Sequence, residues 1–202
     1  MKQISQMMQT NICKIYSNNS KGTGFFCNIQ FGFGKCKFLM TNNHVLNEKD
    51  IQPGQKIKFS TDNDKITYNI SIDNTRKIYS NIDYDVTFIE IKEDDRIDEK
   101  SFFDLDKRIF QENDMLKNCQ VVLLHYPRGE EMVYSAGIIK SIEDNSIINH
   151  TCDSTFGSAG GPLISKENFQ VIGIHFGKGK GKKYNTAKFL KGPIEEFIRG
   201  NK

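Results

Sequence analysis

The stretch TFGSAGGPLI, residues 155–164, decides how this chain is interpreted. Three glycines followed by a proline predict a tight turn that leads into an apolar strand. A turn of this kind leaves successive backbone N–H groups uncovered, and such groups stabilise the oxyanion of an acyl-transfer reaction. The position directly before the Gly-Gly-Pro run would carry the nucleophile of such a turn, and Ala159 occupies it.

Two upstream segments supply an acid–base pair. The run FLM at 38–40 leads to His44, and Asp85 immediately precedes the apolar run at 86–91. Nucleophilic acyl transfer uses a hydroxyl, a base within hydrogen-bonding reach and a buried carboxylate that orients the base. Asp83 competes with Asp85 for the last role, but only Asp85 adjoins a predicted core strand. In chain order, the histidine, the aspartate and the glycine turn provide every part of this chemistry except the hydroxyl.

The composition is that of a globular protein. The 202 residues are 37% hydrophobic and 26% charged, and the formal net charge of +3 is too small to indicate a nucleic-acid partner. No apolar run has the length of a signal peptide or a membrane span. Five cysteines without a CxxC pair predict neither a disulfide framework nor a zinc site. We therefore expect a cytoplasmic protein, or a secreted one if a signal peptide has been removed, with no metal, cofactor or membrane partner.

Short β-like runs, separated by Gly, Asn and Asp clusters, dominate the chain on both sides of a charged connector at 92–107. The pattern predicts an all-β fold of two stacked, antiparallel, six-stranded β-barrels. A C-terminal α-helix is predicted to open at Gly192-Pro193. Proline suits a first helical turn, and Ile194, Phe197 and Ile198 fall on one face.

The chain resembles the trypsin-like (chymotrypsin-fold) serine peptidases over nearly its whole length. The segments that carry the resemblance are GTGFFC (22–27), FLMTNNHVL (38–46), DVTFIEI (85–91), GSAGGPLI (157–164), VIGIHFG (171–177) and NTAKFLKGPIEEFI (185–198). The resemblance implies that His44 is the general base, that Asp85 orients it, and that residue 159 is the nucleophile position. It also implies an oxyanion hole formed by the N–H groups of Gly157 and Ala159.

The same resemblance implies two lobes within one peptidase domain. Residues 1–105 would form the N-terminal barrel lobe, which carries His44 and Asp85. Residues 106–202 would form the C-terminal barrel lobe, which carries the 157–162 turn and the closing helix.

Ala159 departs from the family pattern, because a methyl group cannot form an acyl-enzyme. Two explanations remain open. The first is a serine endopeptidase that is catalytically dead through a serine-to-alanine change at 159. The second is a natural pseudopeptidase that binds peptides or proteins. We favour the first, because a protein without catalytic demand has no need to keep the rest of the site. Both predict a protein or peptide as partner, and whether a protein partner activates the site is left open.

Ser158 adjoins the nucleophile position but is not expected to replace it, because adjacent residues of a tight turn point in different directions. It stands where peptidases activated by clipping have an acidic residue, so activation by clipping is not expected. A nucleic-acid-binding β-domain that uses the lysines at 178–183 is disfavoured. The chain has no basic stripe interleaved with aromatic residues.

The residues of the specificity pocket give conflicting signals. Asp153 lies six positions before residue 159, where family members that prefer Lys or Arg carry an aspartate. His175 resembles the histidine with which glutamyl endopeptidases bind acidic side chains, and Ser154 is placed to assist it. The lysines at 178, 180, 182 and 183 also favour acidic partners, although a solvated hairpin tip is the better explanation for them. On balance the sequence favours a basic residue on the acyl side of the scissile bond (P1).

Overall fold

A computed structural model describes residues 2–17, 21–31, 34–178 and 183–201. These residues form two α-helices, fourteen β-strands and several short 3-10 helices. In chain order the helices and strands are α1 (Lys2–Thr10), β1 (Ile12–Tyr16), β2 (Lys21–Phe31), β3 (Gly34–Thr41), β4 (Lys56–Thr61), β5 (Ile66–Ser71), β6 (Ile78–Asn81), β7 (Val86–Glu90), β8 (Phe103–Asp104), β9 (Gln120–His125), β10 (Val133–Glu143), β11 (Ile147–His150), β12 (Pro162–Ser165), β13 (Val171–Gly177), β14 (Asn185–Phe189) and α2 (Lys191–Gly200).

The strands form two sheets, and the predicted all-β class with a C-terminal helix is confirmed. The N-terminal sheet has the order β5-β4-β1-β2-β3-β7-β6, and β8 pairs in parallel with β2. The C-terminal sheet is a closed barrel with the order β10-β11-β14-β13-β12-β9. The N-terminal sheet has eight strands where six were predicted: seven lie in the order given above, and the 92–107 connector adds β8. It is a half-barrel, because among the described residues its end strands β5 and β6 do not pair with each other. The two sheets fall on either side of residue 105, and the division into lobes at that point stays a prediction.

Three central strands of the N-terminal sheet are buried on both faces, which explains their unbroken apolar sequences. Along β2, Phe25 and Cys27 join a core that continues into the C-terminal barrel, while Phe26 packs inside the N-terminal half-barrel. Alternate residues of β3 and β7 divide in the same way. Since successive side chains of a strand point to opposite faces, a run such as GFFC is the pattern of a doubly covered strand.

Helix α2 packs against the N-terminal sheet although it follows the last strand of the other one. The Phe197 ring lies 5.2 Å from Phe38 and 6.0 Å from Tyr79, measured between centroids, with edge-to-face geometry in both cases. Pro193 lies in the first turn, where an N–H group would have no helical partner, as the sequence predicted. Neither described helix, of nine and ten residues, is long and apolar enough to cross a membrane.

The two sheets meet at Gly160. Its φ is +89°, and a Cβ atom at this position would overlap the Thr23 carbonyl oxygen and the Thr41 hydroxyl of the N-terminal sheet. The Thr23 N–H donates a 2.8 Å hydrogen bond to the carbonyl oxygen of Ala159. The glycine turn is therefore seated directly against β2.

This close approach predicts that Gly160→Ala is strongly destabilising. Gly54→Ala is the matched control, because Gly54 has a φ of +91° but a Cβ atom added there would have open space for 4 Å around it. We expect about 1 kcal/mol for Gly54→Ala, from backbone conformation alone, and about 3 kcal/mol or more for Gly160→Ala. Urea unfolding followed by circular dichroism measures both. Equal losses in the two variants would contradict the seating of Gly160 against Thr23.

Candidate active site

His44 lies in the turn that follows β3. The N–H groups of Val45 and Leu46 both donate to the carbonyl oxygen of Asn42 at 3.1 Å, which closes the turn. The side chain of His44 is 46% exposed. The base predicted from the sequence therefore stands on a rigid support with access to solvent and to a bound molecule.

Asp85 holds His44 with both carboxylate oxygens. One oxygen lies 2.8 Å from His44 Nδ1, and the other accepts the backbone N–H of His44 at 2.9 Å. Asp85 has a φ of +50°, and its own carbonyl oxygen accepts a 2.9 Å hydrogen bond from the Asn42 side-chain amide. A carboxylate at Nδ1 places the proton there and leaves Nε2 of the imidazole free to accept another. The competing Asp83 is exposed and outside this arrangement.

The turn that contains Gly157 and Ala159 presents two backbone N–H groups. The carbonyl oxygen of Phe156 accepts the Arg128 N–H at 2.6 Å, and that of Ser158 accepts the Gly161 N–H at 3.2 Å. In a trans peptide the N–H points opposite to the C=O. The N–H groups of Gly157 and Ala159 therefore point away from these partners. They donate to no acceptor within the described residues.

Gly157 fits its place because it has no side chain. Its φ is +86°, and a Cβ atom would lie 2.8 Å from the backbone nitrogens of both Arg128 and Gly129. The carbonyl oxygen of Gly157 accepts a 3.1 Å hydrogen bond from the Thr23 hydroxyl. The turn is thus held from behind by the segment after β9 and by β2.

His44, Gly157 and Ala159 line one cavity of about 370 Å³. The candidate base, the two uncovered N–H groups and the candidate nucleophile position therefore open on the same cavity. Ser158 does not, because it is fully buried and its hydroxyl lies 2.7 Å from Nδ1 of His125. The expectation that Ser158 points away from the nucleophile position agrees with this placement.

His175 and Ser154 line the same cavity. His150 contacts His175, and Nε2 of His150 lies 3.1 Å from Nδ1 of His175. Because the Cys152 N–H donates to Nδ1 of His150, the His150 proton sits on Nε2 and is donated to His175. In a neutral ring the His175 proton is then on Nε2. Burial, with additional repulsion from the neighbouring histidines, holds the pKa of His175 well below its usual value, so the ring is neutral at pH 7.

The sequence matches the family of the trypsin-like peptidase domain over residues 22–174. This chain belongs to the trypsin-like peptidase family. The match covers three quarters of the chain and includes His44, Asp85 and the 157–162 turn, so the resemblance inferred from short motifs is confirmed. No curated protein matches the sequence.

Solved structures of trypsin-like fold agree with the architecture. A serine endoprotease from Yersinia pestis superposes with a TM-score of 0.70 at 15% identity, over 100% of this chain and 67% of the other. The inactive form of the Rv3671c protease gives a TM-score of 0.67 at 19% identity, over 98% and 91% of the two chains. An inactive serine-to-alanine mutant of Rv3671c from M. tuberculosis gives 0.66 at 19% identity, over 98% and 89%. At these identities the likeness concerns the fold.

Asp153 does not line the cavity of this trypsin-like peptidase. Its side chain is exposed, and its backbone N–H donates a 2.7 Å hydrogen bond to the Ser135 hydroxyl. The prediction of an aspartate at the pocket floor is therefore not supported by its position. The next residue, Ser154, lies in the same irregular segment after β11 and is the one that lines the cavity.

Lysines surround the peptidase cleft. Lys21 and Lys178 line the main cavity, and Lys188 lines an adjoining cavity of about 460 Å³ together with Phe176. Lys188 lies over the Phe176 ring, with Nζ 5.0 Å from its centroid. Within the described residues none of the three lysines is paired with a carboxylate, and no Asp or Glu lines the main cavity. Two lysines of the predicted loop, at 180 and 182, lie outside the described residues.

Sequence reasoning missed the residues that support the turn from a distance. Thr23 donates to Gly157 across 134 residues of sequence, and Arg128 supports Phe156 through its backbone, which carries no sequence signal. The contact between His125 and Ser158 also carries no local sequence signal. Only a pairing of strand β9 with β12 would have brought these two residues together.

The buried histidines predict a stability that falls in mild acid. Burial lowers the pKa of both His125 and His150 from 6.5 to about 4. The unfolded chain therefore binds more protons than the folded one between pH 4 and 6.5, and the free energy of unfolding falls as the pH is lowered through that window. We expect a loss of about 2 to 3 kcal/mol per histidine.

Urea unfolding at several pH values between 4.5 and 7.5 measures this loss. His150→Gln is expected to flatten the pH dependence, whatever its effect on stability at pH 7.5, while Lys56→Gln on the exposed face of β4 leaves it unchanged. A stability that is constant from pH 7.5 to 4.5 would show that the histidines are not buried as described.

Proposed function

We propose that this chain is a serine-endopeptidase scaffold in which His44 is the general base, Asp85 its orienting carboxylate and position 159 the nucleophile. With a serine at 159 it hydrolyses peptide bonds. One observation carries the proposal: the His44–Asp85 pair and the uncovered N–H groups of Gly157 and Ala159 open on the same cavity. An oriented imidazole facing two free N–H groups is the arrangement that acyl transfer needs, with the reacting carbonyl group placed between the imidazole and the N–H groups.

The reaction follows from the positions of these groups. His44 Nε2 takes the proton of the hydroxyl at 159 as its oxygen bonds to the substrate carbonyl carbon. The carbonyl oxygen gains the negative charge and accepts hydrogen bonds from the N–H groups of Gly157 and residue 159. The imidazolium, stabilised by Asp85, then protonates the leaving amine as the C–N bond breaks. Water, deprotonated by His44, releases the acyl group by the same steps and restores the hydroxyl.

Ala159 stops this sequence at its first step, because no oxygen is present to form the acyl bond. Peptide binding does not depend on that oxygen, so the chain as it stands is proposed to hold a peptide and leave it uncut. The second candidate function follows from the same residue: a natural pseudopeptidase whose cleft is used only for binding. The two candidate functions differ in the expected effect of Ala159→Ser: it creates hydrolysis in the first and leaves only binding in the second.

The substrate residue that enters the cavity is proposed to be acidic. The neutral His175 ring carries its proton on Nε2, Ser154 lines the same cavity, and Lys21 and Lys178 add positive charge. A lysine or arginine side chain would meet two cations and no carboxylate among the described lining residues. The charges of the cavity therefore reverse the preference for a basic residue that Asp153 indicated.

Ala159→Ser is expected to create peptidase activity. The change supplies the missing oxygen without altering the turn, since serine adds one atom to a half-buried alanine. We expect hydrolysis of an unfolded protein such as casein to rise by roughly 10⁴-fold or more over the Ala159 chain. Labelling by a fluorophosphonate provides an independent measurement of the activated hydroxyl.

The control is His44→Ala in the Ala159→Ser chain, which should remove both hydrolysis and labelling. An Ala159→Ser protein that is folded but silent across a broad peptide library would favour the binding-module function. In that case we would still expect the Ala159 chain to bind a peptide in this cleft without cleaving it.

The pocket assignment predicts an acidic P1 preference. In the Ala159→Ser protein, peptides with Glu at P1 should be cleaved at least about 10-fold faster in kcat/KM than peptides with Lys or Ala, as expected for one good charge-assisted contact. His175→Ala should remove this preference. Asp153→Asn is the matched control and should leave it unchanged. A preference for Lys that is lost in Asp153→Asn would show that Asp153 governs the pocket.

A further inference from the structure

A buried histidine–serine contact lies directly behind the candidate oxyanion hole. His125 ends strand β9 and is 2% exposed, and Ser158 is fully buried. The Ser158 hydroxyl is 2.7 Å from Nδ1 of His125. The mechanism proposed above uses neither side chain, so this pair needs its own explanation.

Ser158 lies between the two oxyanion donors and fixes the turn through its side chain and its backbone. Its hydroxyl oxygen accepts the Thr155 N–H at 3.1 Å, and its own N–H donates to the Thr155 carbonyl oxygen at 3.1 Å. Its carbonyl oxygen accepts the Gly161 N–H. The peptide plane that contains the Ala159 N–H is therefore oriented by the placement of Ser158.

His125 begins a short segment that supports the whole back of this turn. The Tyr126 N–H donates to the Thr23 hydroxyl at 3.0 Å, and that hydroxyl donates to the Gly157 carbonyl oxygen. The Arg128 N–H donates to the carbonyl oxygen of Phe156. The carbonyl oxygens of Phe156 and Gly157 are thus held from residues 125–128 or through Thr23, and His125 adds the contact with the Ser158 side chain.

The contact with Ser158 is the one polar contact of the His125 ring within the described residues. Its Nε2 atom is buried and has no hydrogen-bond partner there. A buried nitrogen without a partner costs free energy, so an apolar side chain would serve the core better. Burial also keeps the ring neutral at pH 7, since it lowers the pKa to about 4. The benefit that offsets this cost is the contact with Ser158.

We infer that His125 is a positioning residue, which acts through Ser158 to hold the Gly157 and Ala159 N–H groups in the orientation that receives an oxyanion. The inference rests on the proposed function of the cleft. The neutral hydrogen bond between His125 and Ser158 would keep the turn in its oxyanion-binding conformation. The turn would then need no contact from another protein to adopt that conformation.

The test uses the Ala159→Ser protein and separates positioning from stability. Ser158→Ala and His125→Leu should each lower kcat by about 10- to 100-fold, the range for one misplaced oxyanion donor, while KM changes by less than about 3-fold. The double variant should lose no more than Ser158→Ala alone, because Ser158→Ala already removes the contact that His125→Leu removes. Its unfolding free energy should stay near that of Ser158→Ala, since the second substitution replaces the remaining partner of that contact by an apolar group.

Two further measurements make the inference falsifiable. His125→Asn, which can offer an oxygen close to the position of Nδ1, should recover most of the lost kcat. In the chain with Ala159, the amide ¹⁵N relaxation of Gly157 and Ala159 should show increased motion after Ser158→Ala, and this readout needs no activity. If the Ala159→Ser protein is inactive but the amide motion changes, the positioning role stands and the proposed function fails.

Three results would overturn the positioning role. One is an unchanged kcat in Ser158→Ala. Another is a loss of kcat in His125→Leu that is matched by a loss of stability and not recovered in His125→Asn. The third is unchanged motion of both amides in Ser158→Ala.

Discussion

Thr23 joins the two sheets at the point where the cleft is formed. Its N–H donates to the Ala159 carbonyl oxygen, its hydroxyl donates to Gly157, and its own carbonyl oxygen accepts the Thr41 hydroxyl while packing against the Cα of Gly160. The candidate base, His44, follows a strand of one sheet, and the candidate oxyanion turn precedes a strand of the other. Their relative position therefore depends on how Thr23 is seated. A side chain of this size with one donor and two acceptor sites satisfies both sheets at once.

The site combines local rigidity with uncovered polar groups. Asp85 is held in a positive-φ conformation and the glycines of the turn in conformations that other residues avoid, and each departure is stabilised by hydrogen bonds to the backbone. The result is a set of N–H groups and a ring nitrogen that are oriented but have no partner of their own among the described residues. Such preorganisation costs stability in the free protein. Under the proposed function, this free-energy cost is offset when negative charge develops on a substrate in the cleft.

The sequence predicted what is carried by short, local patterns. His44 after an apolar strand, Asp85 before one, the glycine turn and helix α2 all have signals within about ten residues of chain, as expected for turn and helix-start signatures. Whether Asp153 or Ser154 reaches the cavity depends on the path of the irregular segment after β11, which no local sequence signal reveals. The supports of the turn, Thr23 and His125, act across 134 and 33 residues. Their roles require the pairing of strands, which is known only from the fold.

The seating of α2 on the first sheet has a consequence for how the chain acquires its structure. Phe197 contacts Phe38 and Tyr79, so the N-terminal sheet is completed by a segment synthesised more than a hundred residues later. Contacts of such long range slow folding, because a large loop must close before they form. Until α2 docks, apolar rings of the nascent N-terminal sheet are open to solvent and to other chains. The core of the N-terminal sheet therefore cannot be completed until the last residues of the chain are available.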